Sequence, residues 1–148
     1  MTIQFLDQRI SVISQGGPAI PIPLAPAAPV VIGDIGVQTA SVLPANANNV
    51  RVELNAMVDV TGLTAGSGYR VQILREGTVI FTADYLGIAL TNGNPSSYTV
   101  TDFPPTAALA DGQVQYTFTI QQIAVGPAAG TVQAAWFGGS AAAGTFTG

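Results

Sequence analysis

From Val50 to Thr61 the chain alternates without a break. Val50, Val52, Leu54, Ala56, Val58 and Val60 fall on one side; Arg51, Glu53, Asn55, Met57, Asp59 and Thr61 fall on the other. A period of two with opposite polarity predicts a strand with one face on a core, as in an antiparallel sheet. Val114, Tyr116, Phe118 and Ile120 alternate against Gln113, Gln115, Thr117 and Thr119 in the same way. Shorter runs predict strands within Val30–Val42, Tyr69–Leu74, Val79–Leu86, Ser97–Asp102, Thr131–Phe137 and around Ala143–Thr147. Glycine-rich or proline-rich breaks separate them: Gly62–Gly68, Arg75-Glu-Gly-Thr78, Thr91-Asn-Gly-Asn-Pro95, Pro104-Pro105, Ala110-Asp-Gly112, Gly126–Gly130 and Gly138-Gly139. The Arg75–Thr78 break reads as a hairpin turn with Gly77 supplying a positive φ. No helical period stands out in this body.

About eight strands at short, regular spacing predict an all-β, antiparallel β-sandwich, with a jelly roll ahead of an immunoglobulin-like fold. The Cys–Trp–Cys spacing of immunoglobulin domains is absent, since the chain has no cysteine.

The N-terminal part behaves differently. Pro18–Pro29 carries five prolines in twelve residues, which bars it from a helix or an interior strand. As polyproline II it would span about 35 Å at ~3.1 Å per residue. The reading is an extended connector arm over 1–32, made of a head (1–15) and a Pro-rich spacer (16–29), followed by a sandwich over 33–148. In the head, Ile3, Leu6, Ile10 and Ile13 suit a helix face, whereas Ile3 and Phe5, then Ile10 and Val12, suit a strand. The β-branched residues favour the strand.

Composition changes the picture in one respect. Charged residues make up only 8% of the chain, hydrophobic residues 48%, and the mean hydropathy is +0.44. An average soluble domain is roughly 25% charged. A chain this apolar, with no lysine to guard its strand edges, points to a surface covered by neighbours. Four arginines within a net charge of −4 exclude a nucleic-acid face and an anionic-membrane face. No run predicts a transmembrane helix, and the first residues do not read as a secretory leader.

Candidate chemistry is sparse. Without His, Cys or Lys, the common nucleophilic triads, Schiff-base chemistry and imidazole or thiolate zinc sites are ruled out. Lys–Asn isopeptide cross-links are ruled out as well, so any polymer is held non-covalently. The eight carboxylates (Asp7, Asp34, Glu53, Asp59, Glu76, Asp84, Asp102 and Asp111) are dispersed and read as solvated surface groups. A glycosidase needs two carboxylates facing each other across a cleft; Asp59 and Asp84 could approach on neighbouring strands, but nothing in the sequence demands it. Arg51 with Glu53, and Arg75 with Glu76, read as weak surface pairs. Trp136 and Phe137 are the aromatics assigned to an interface or a ligand platform. The chain is read as no enzyme, with no cofactor and no metal.

Gly68-Tyr-Arg-Val-Gln-Ile-Leu-Arg-Glu-Gly77 and Gln115-Tyr-Thr-Phe-Thr119, in their setting of Val30–Gly148, resemble the compact jelly-roll domains on spores of bacilli. These include the C1q/TNF-like tips of exosporium filaments and the subunits of endospore appendage fibres. The resemblance implies trimeric or helical assembly, with an N-terminal connector joining successive subunits. The absence of a Gly-X-Y region and of cysteine separates this chain from collagen-stalked tips and from disulfide-linked appendages.

Together these observations predict a structural protein that assembles non-covalently into a surface fibre. Its partner is a second copy of itself, with an anchoring protein at the fibre base, and its setting is an extracellular or spore surface. The expected anchors of the arm on its neighbour are Ile3, Phe5, Leu6, Ile10, Val12, Ile13, Ile20, Ile22 and Leu24. The alternatives are a trimeric C1q/TNF-like or lectin-like binding module, and a viral capsid or tail jelly-roll protein.

Overall fold

The computed structural model describes residues 3–13, 17–23, 28–90, 94–124 and 129–145. Its strands are β1 (Gln4–Ile13), β2 (Ile20–Pro21), β3 (Val30–Gln38), β4 (Val50–Thr61), β5 (Leu63–Arg75), β6 (Thr78–Leu90), β7 (Asn94–Asp102), β8 (Gln113–Ala124) and β9 (Thr131–Ala143). Two short 3-10 turns, Pro44–Asn46 and Thr106–Leu109, are the helical segments among the described residues. Among the described residues no helix is long and apolar enough to cross a membrane.

The topology follows from one long antiparallel ribbon. Its apex is the turn between β5 and β6, where Glu76 (φ 46) and Gly77 (φ 79) both take the left-handed conformation that suits a two-residue hairpin. Glu76 tolerates this because its backbone N–H donates to the Gln115 carbonyl at 2.9 Å and its carboxylate accepts the Gln115 N–H at 2.6 Å. Away from the apex the ribbon continues as β4 with β7, β3 with β8, and β1 with β9. Winding it on itself adds the pairs β4 with β9 and β5 with β8. The result is two sheets in the orders β1-β9-β4-β7 and β3-β8-β5-β6, with β2 also on β9. This is the jelly roll that the strand rhythm predicts.

The core lies between the sheets. The inward valines and Leu54 of β4 face Val71 and Ile73 of β5 and Val114, Tyr116, Phe118 and Ile120 of β8, all buried. Phe118 packs 5.6 Å from Phe137 and 6.4 Å from Tyr98, ring centre to ring centre, joining the sheets. Such ring pairs add about 0.5–1.5 kcal/mol each beyond their buried area. On the β6–β7 side, the Tyr85 and Tyr98 hydroxyls share a hydrogen bond of 2.7 Å.

Three sequence expectations change. First, Gly138-Gly139 does not divide two strands, because β9 runs through both. Gly139 faces inward, where a Cβ would stand 2.8 Å from Ile35 Cδ1 and 3.1 Å from Leu54 Cδ2. The glycine makes room for the core and does not break the strand. Second, the stretch read as a turn at Gly62–Gly68 is mostly the irregular start of β5, which shifts register near Ser67. Third, the head is a strand, and it joins the sandwich of its own chain. β1 runs along β9 from Gln4 against Ala143 to Ile13 against Ala135, and β2 continues the line with Ile20 against Val132. The fold therefore has no boundary at residue 32.

The β1 edge is closed by a carboxylate. Asp7 Oδ2 accepts from the Gln38 N–H of β3 and from Arg9 Nε, both at 2.8 Å. Burial pushes the Asp7 carboxyl up. The hydrogen bonds from Arg9, Gln38 and the Gln8 N–H, with the Arg9 charge, outweigh it and hold the group below its ordinary value. A carboxyl depressed in the folded state contributes fully above the unfolded value of about 3.9, and that contribution is lost as pH falls through the folded value. Protection of the Gln38 amide, taken relative to its intrinsic exchange rate at each pH, should therefore fall as pH drops below about 4. Asp7→Asn should make that amide exchange faster at neutral pH and remove the acid step. Unchanged Gln38 protection in the variant would contradict this role.

Candidate assembly surface

The outer face of the β1-β9-β4-β7 sheet can be read row by row from its register, because residues directly opposite in an antiparallel pair share a face. One row is Val12, Trp136, Met57, Ser97; the next is Ile10, Gly138, Asn55, Thr99; a third is Gln8, Ser140, Glu53, Thr101. Phe5 opposite Ala142 opposite Arg51 begins a fourth. Phe5, Ile10, Val12 and Trp136 are exposed at 64%, 63%, 56% and 37%. They form an apolar patch centred on β1 and β9.

A bulge creates this patch. Strict alternation would place Phe5 on one face of β1 and Ile10 and Val12 on the other. The register shifts between Phe5 and Asp7, so Leu6 is the extra residue and the phase is reset. Leu6 and Ile13 then pack against the core, while Phe5, Ile10 and Val12 all face outward. The Trp136 indole lies over Gly138, where an added Cβ would sit 3.5 Å from its Cζ3. Beside it a groove of about 300 Å³ runs between Trp136, Met57 and Asn55 and the β7 residues Ser97 and Thr99.

The opposite outer face, on β3-β8-β5-β6, carries a network of polar side chains bound to one another. Gln38 donates to Gln113, Gln113 to Gln115, Gln115 to Asp34, and Gln72 to Thr82. Arg70 holds Asp84 through two hydrogen bonds of 2.7 and 2.8 Å, which raises the guanidinium and lowers the carboxyl from their ordinary values. Its exposed apolar side chains, Val31 on β3 and Val79 and Leu86 on β6, stand apart from one another. The first face is barer where Ile10, Val12 and Trp136 adjoin one another, with Asn55 accepting from the Thr99 hydroxyl beside them.

The structure separates the residues assigned to the arm. Phe5, Ile10 and Val12 are on the bare face, and Ile3 is exposed beside β1. Leu6, Ile13 and Ile20 lean on the chain's own core and Ile22 is fully buried in it, so Ile22 offers nothing to a neighbour in this conformation. Leu24 lies outside the described residues. Of the two aromatics, Trp136 is on the face, while Phe137 is a core residue of zero exposure and no surface platform.

Sequence reading missed an inter-sheet staple. Arg75 does not pair with Glu76. Its Nη1 donates to Asp102 Oδ1 at 2.5 Å, and the Tyr116 hydroxyl donates to Asp102 Oδ2 at 2.7 Å. Burial, then the Asp102 hydrogen bond, pushes the Tyr116 hydroxyl far up. Arg51 donates to the Gly144 carbonyl. Asp59 and Asp84 belong to different sheets and do not meet. Among the described residues no group of three or more His, Cys, Asp or Glu side chains is placed to hold a metal.

No protein-family model matches the chain, and no curated protein matches it. Solved structures do. T=1 particles derived from infectious bursal disease virus match with a TM-score of 0.54 at 10% identity, over 95% of this chain and 37% of that chain. The VP2 subviral particle of the same virus gives 0.53 at 10% identity, over 95% and 38%. Its T13 viral particle gives 0.53 at 11%, over 93% and 35%. This chain spans a little over a third of those chains. At such identity the likeness is one of fold: it carries the jelly roll and does not extend to the spore-filament identity that the sequence resemblance implied.

Proposed function

We propose that this protein is a non-catalytic structural subunit that assembles with copies of itself. The observation that carries the reading is the exposed run of Ile10, Val12 and Trp136 on the outer face of the β1-β9-β4-β7 sheet. An exposed apolar patch on a chain with 8% charged residues leaves a subunit poorly suited to standing alone in water, and burying the patch against a copy relieves that. Association is non-covalent, since the chain has no cysteine or lysine to cross-link. The N-terminal arm takes part through the outward side chains of β1, while its inward side chains hold it to its own sandwich. A surface fibre and a closed shell both follow from such contacts. The likeness to virus-particle proteins favours the shell, and the fibre rests on the sequence resemblance.

Negative-stain electron microscopy of the full-length protein tests the reading. Regular particles or filaments that grow with concentration are the expected result. Monomers at every concentration would overturn it.

A further inference from the structure

Building on self-association as the function, we infer that the outer face of the β1-β9-β4-β7 sheet is an isologous two-fold interface, in which β1 of one copy lies over β7 of the other. Three observations converge on a second copy as the occupant.

The first is self-complementarity. The face carries its projections on one side and its depression on the other: Ile10 and Val12 stand on β1, and the groove lies between Trp136 and Met57 and the β7 side chains. A two-fold axis running along the strands between β9 and β4 exchanges the two sides and leaves each row at its own height. Val12 then meets the Met57–Ser97 end of its own row on the other copy. Ile10 likewise meets the Asn55–Thr99 end. The residues that line the groove are those the symmetry presents to Ile10 and Val12. That reciprocity, in which one residue touches another and is touched back, defines an isologous contact.

The second is size. Four strands about 4.8 Å apart and some ten residues long at about 3.4 Å each cover roughly 600 Å² per copy. The pair therefore buries about 1,200 Å², the lower bound of a stable specific interface. Two sheets stacking about 10 Å apart is also how sandwiches pack internally.

The third is contiguity. On the other outer face many polar side chains are already paired within the chain, and the exposed Val31, Val79 and Leu86 are separated from one another, whereas Ile10, Val12 and Trp136 adjoin. One such apolar row per subunit closes the contact as a dimer, and larger assemblies grow from that dimer through other surfaces.

The test is sedimentation equilibrium on the full-length protein, with circular dichroism to confirm that each variant is folded. Wild type should associate, and Val12→Glu should weaken association at least tenfold while the fold is retained, since Val12 is outward and half exposed. Adding Ser97→Arg to Val12→Glu should restore association, because the two-fold places each new glutamate against the other copy's new arginine. Gln72→Glu, on the opposite face, should change nothing. If wild type associates and Val12→Glu associates equally well, this face is not the interface, although self-assembly stands. Loss in Val12→Glu without rescue by Ser97→Arg overturns the two-fold register. A monomeric wild type that instead binds an immobilised glycan through Trp136 overturns both the interface and the assembly reading.

Discussion

Asp102→Ala should destabilise the folded chain by about 3–5 kcal/mol, the range for removing one partner of a buried ion pair. Asp102 ends β7 in one sheet, while Arg75 of β5 and Tyr116 of β8 lie in the other, and each donates to a different oxygen of its carboxylate. The Asp102 side chain is 9% exposed and that of Arg75 18%, so water repairs little of the loss. Alanine leaves a guanidinium and a phenol facing the end of the core without an acceptor. Arg75→Met combined with Asp102→Leu should cost less than Asp102→Ala alone, because it removes the charge together with its partner. Urea unfolding reads both variants. An Asp102→Ala midpoint equal to wild type, with an equal slope, would contradict the staple.

The second large effect concerns the N-terminal strand. A pendant arm could be removed without cost to the domain behind it, whereas deleting residues 1–15 here takes away β1. Leu6 and Ile13 are each partly buried against the core, together worth about 2–3 kcal/mol at half the full-burial value. The deletion also strips β9 of its partner from Ala135 to Ala143 and turns an interior strand into an open edge. A fall of about 5–10 °C in thermal midpoint is expected for a domain of this size, with increased binding of an apolar dye and precipitation on concentration. A truncated chain as stable and as soluble as the parent would show that β1 is dispensable to its own sandwich.

How far the sequence was legible depends on the range of the interaction involved. Val50–Thr61 and Val114–Ile120 were plain because a half-buried strand writes its period into adjacent residues, and the hairpin at Glu76-Gly77 because its turn has local chemistry. The bulge at Leu6 was not legible. A single inserted residue reverses the facing of everything beyond it, and only the register against β9 reveals where it falls. Gly138-Gly139 misled for a related reason: a glycine pair reads as a break until Ile35 and Leu54 from other strands are seen to fill the space of the missing Cβ. Asp102 pairs with a residue 27 positions away across the sandwich, and no local pattern announces such a partner. The arm residues were marked as apolar and unfit for solvent. Their division into a core-facing set and an outward set had to wait for the sheet.

The most direct measurement uses the absence of native cysteine. Asn55→Cys places a thiol at the centre of the bare face, and Gln72→Cys places one on the opposite sheet. Each full-length variant is treated with a short bismaleimide and resolved on a denaturing gel. A covalent dimer from Asn55→Cys and essentially none from Gln72→Cys is the expected result. A dimer from Gln72→Cys alone, or from neither variant, would contradict it.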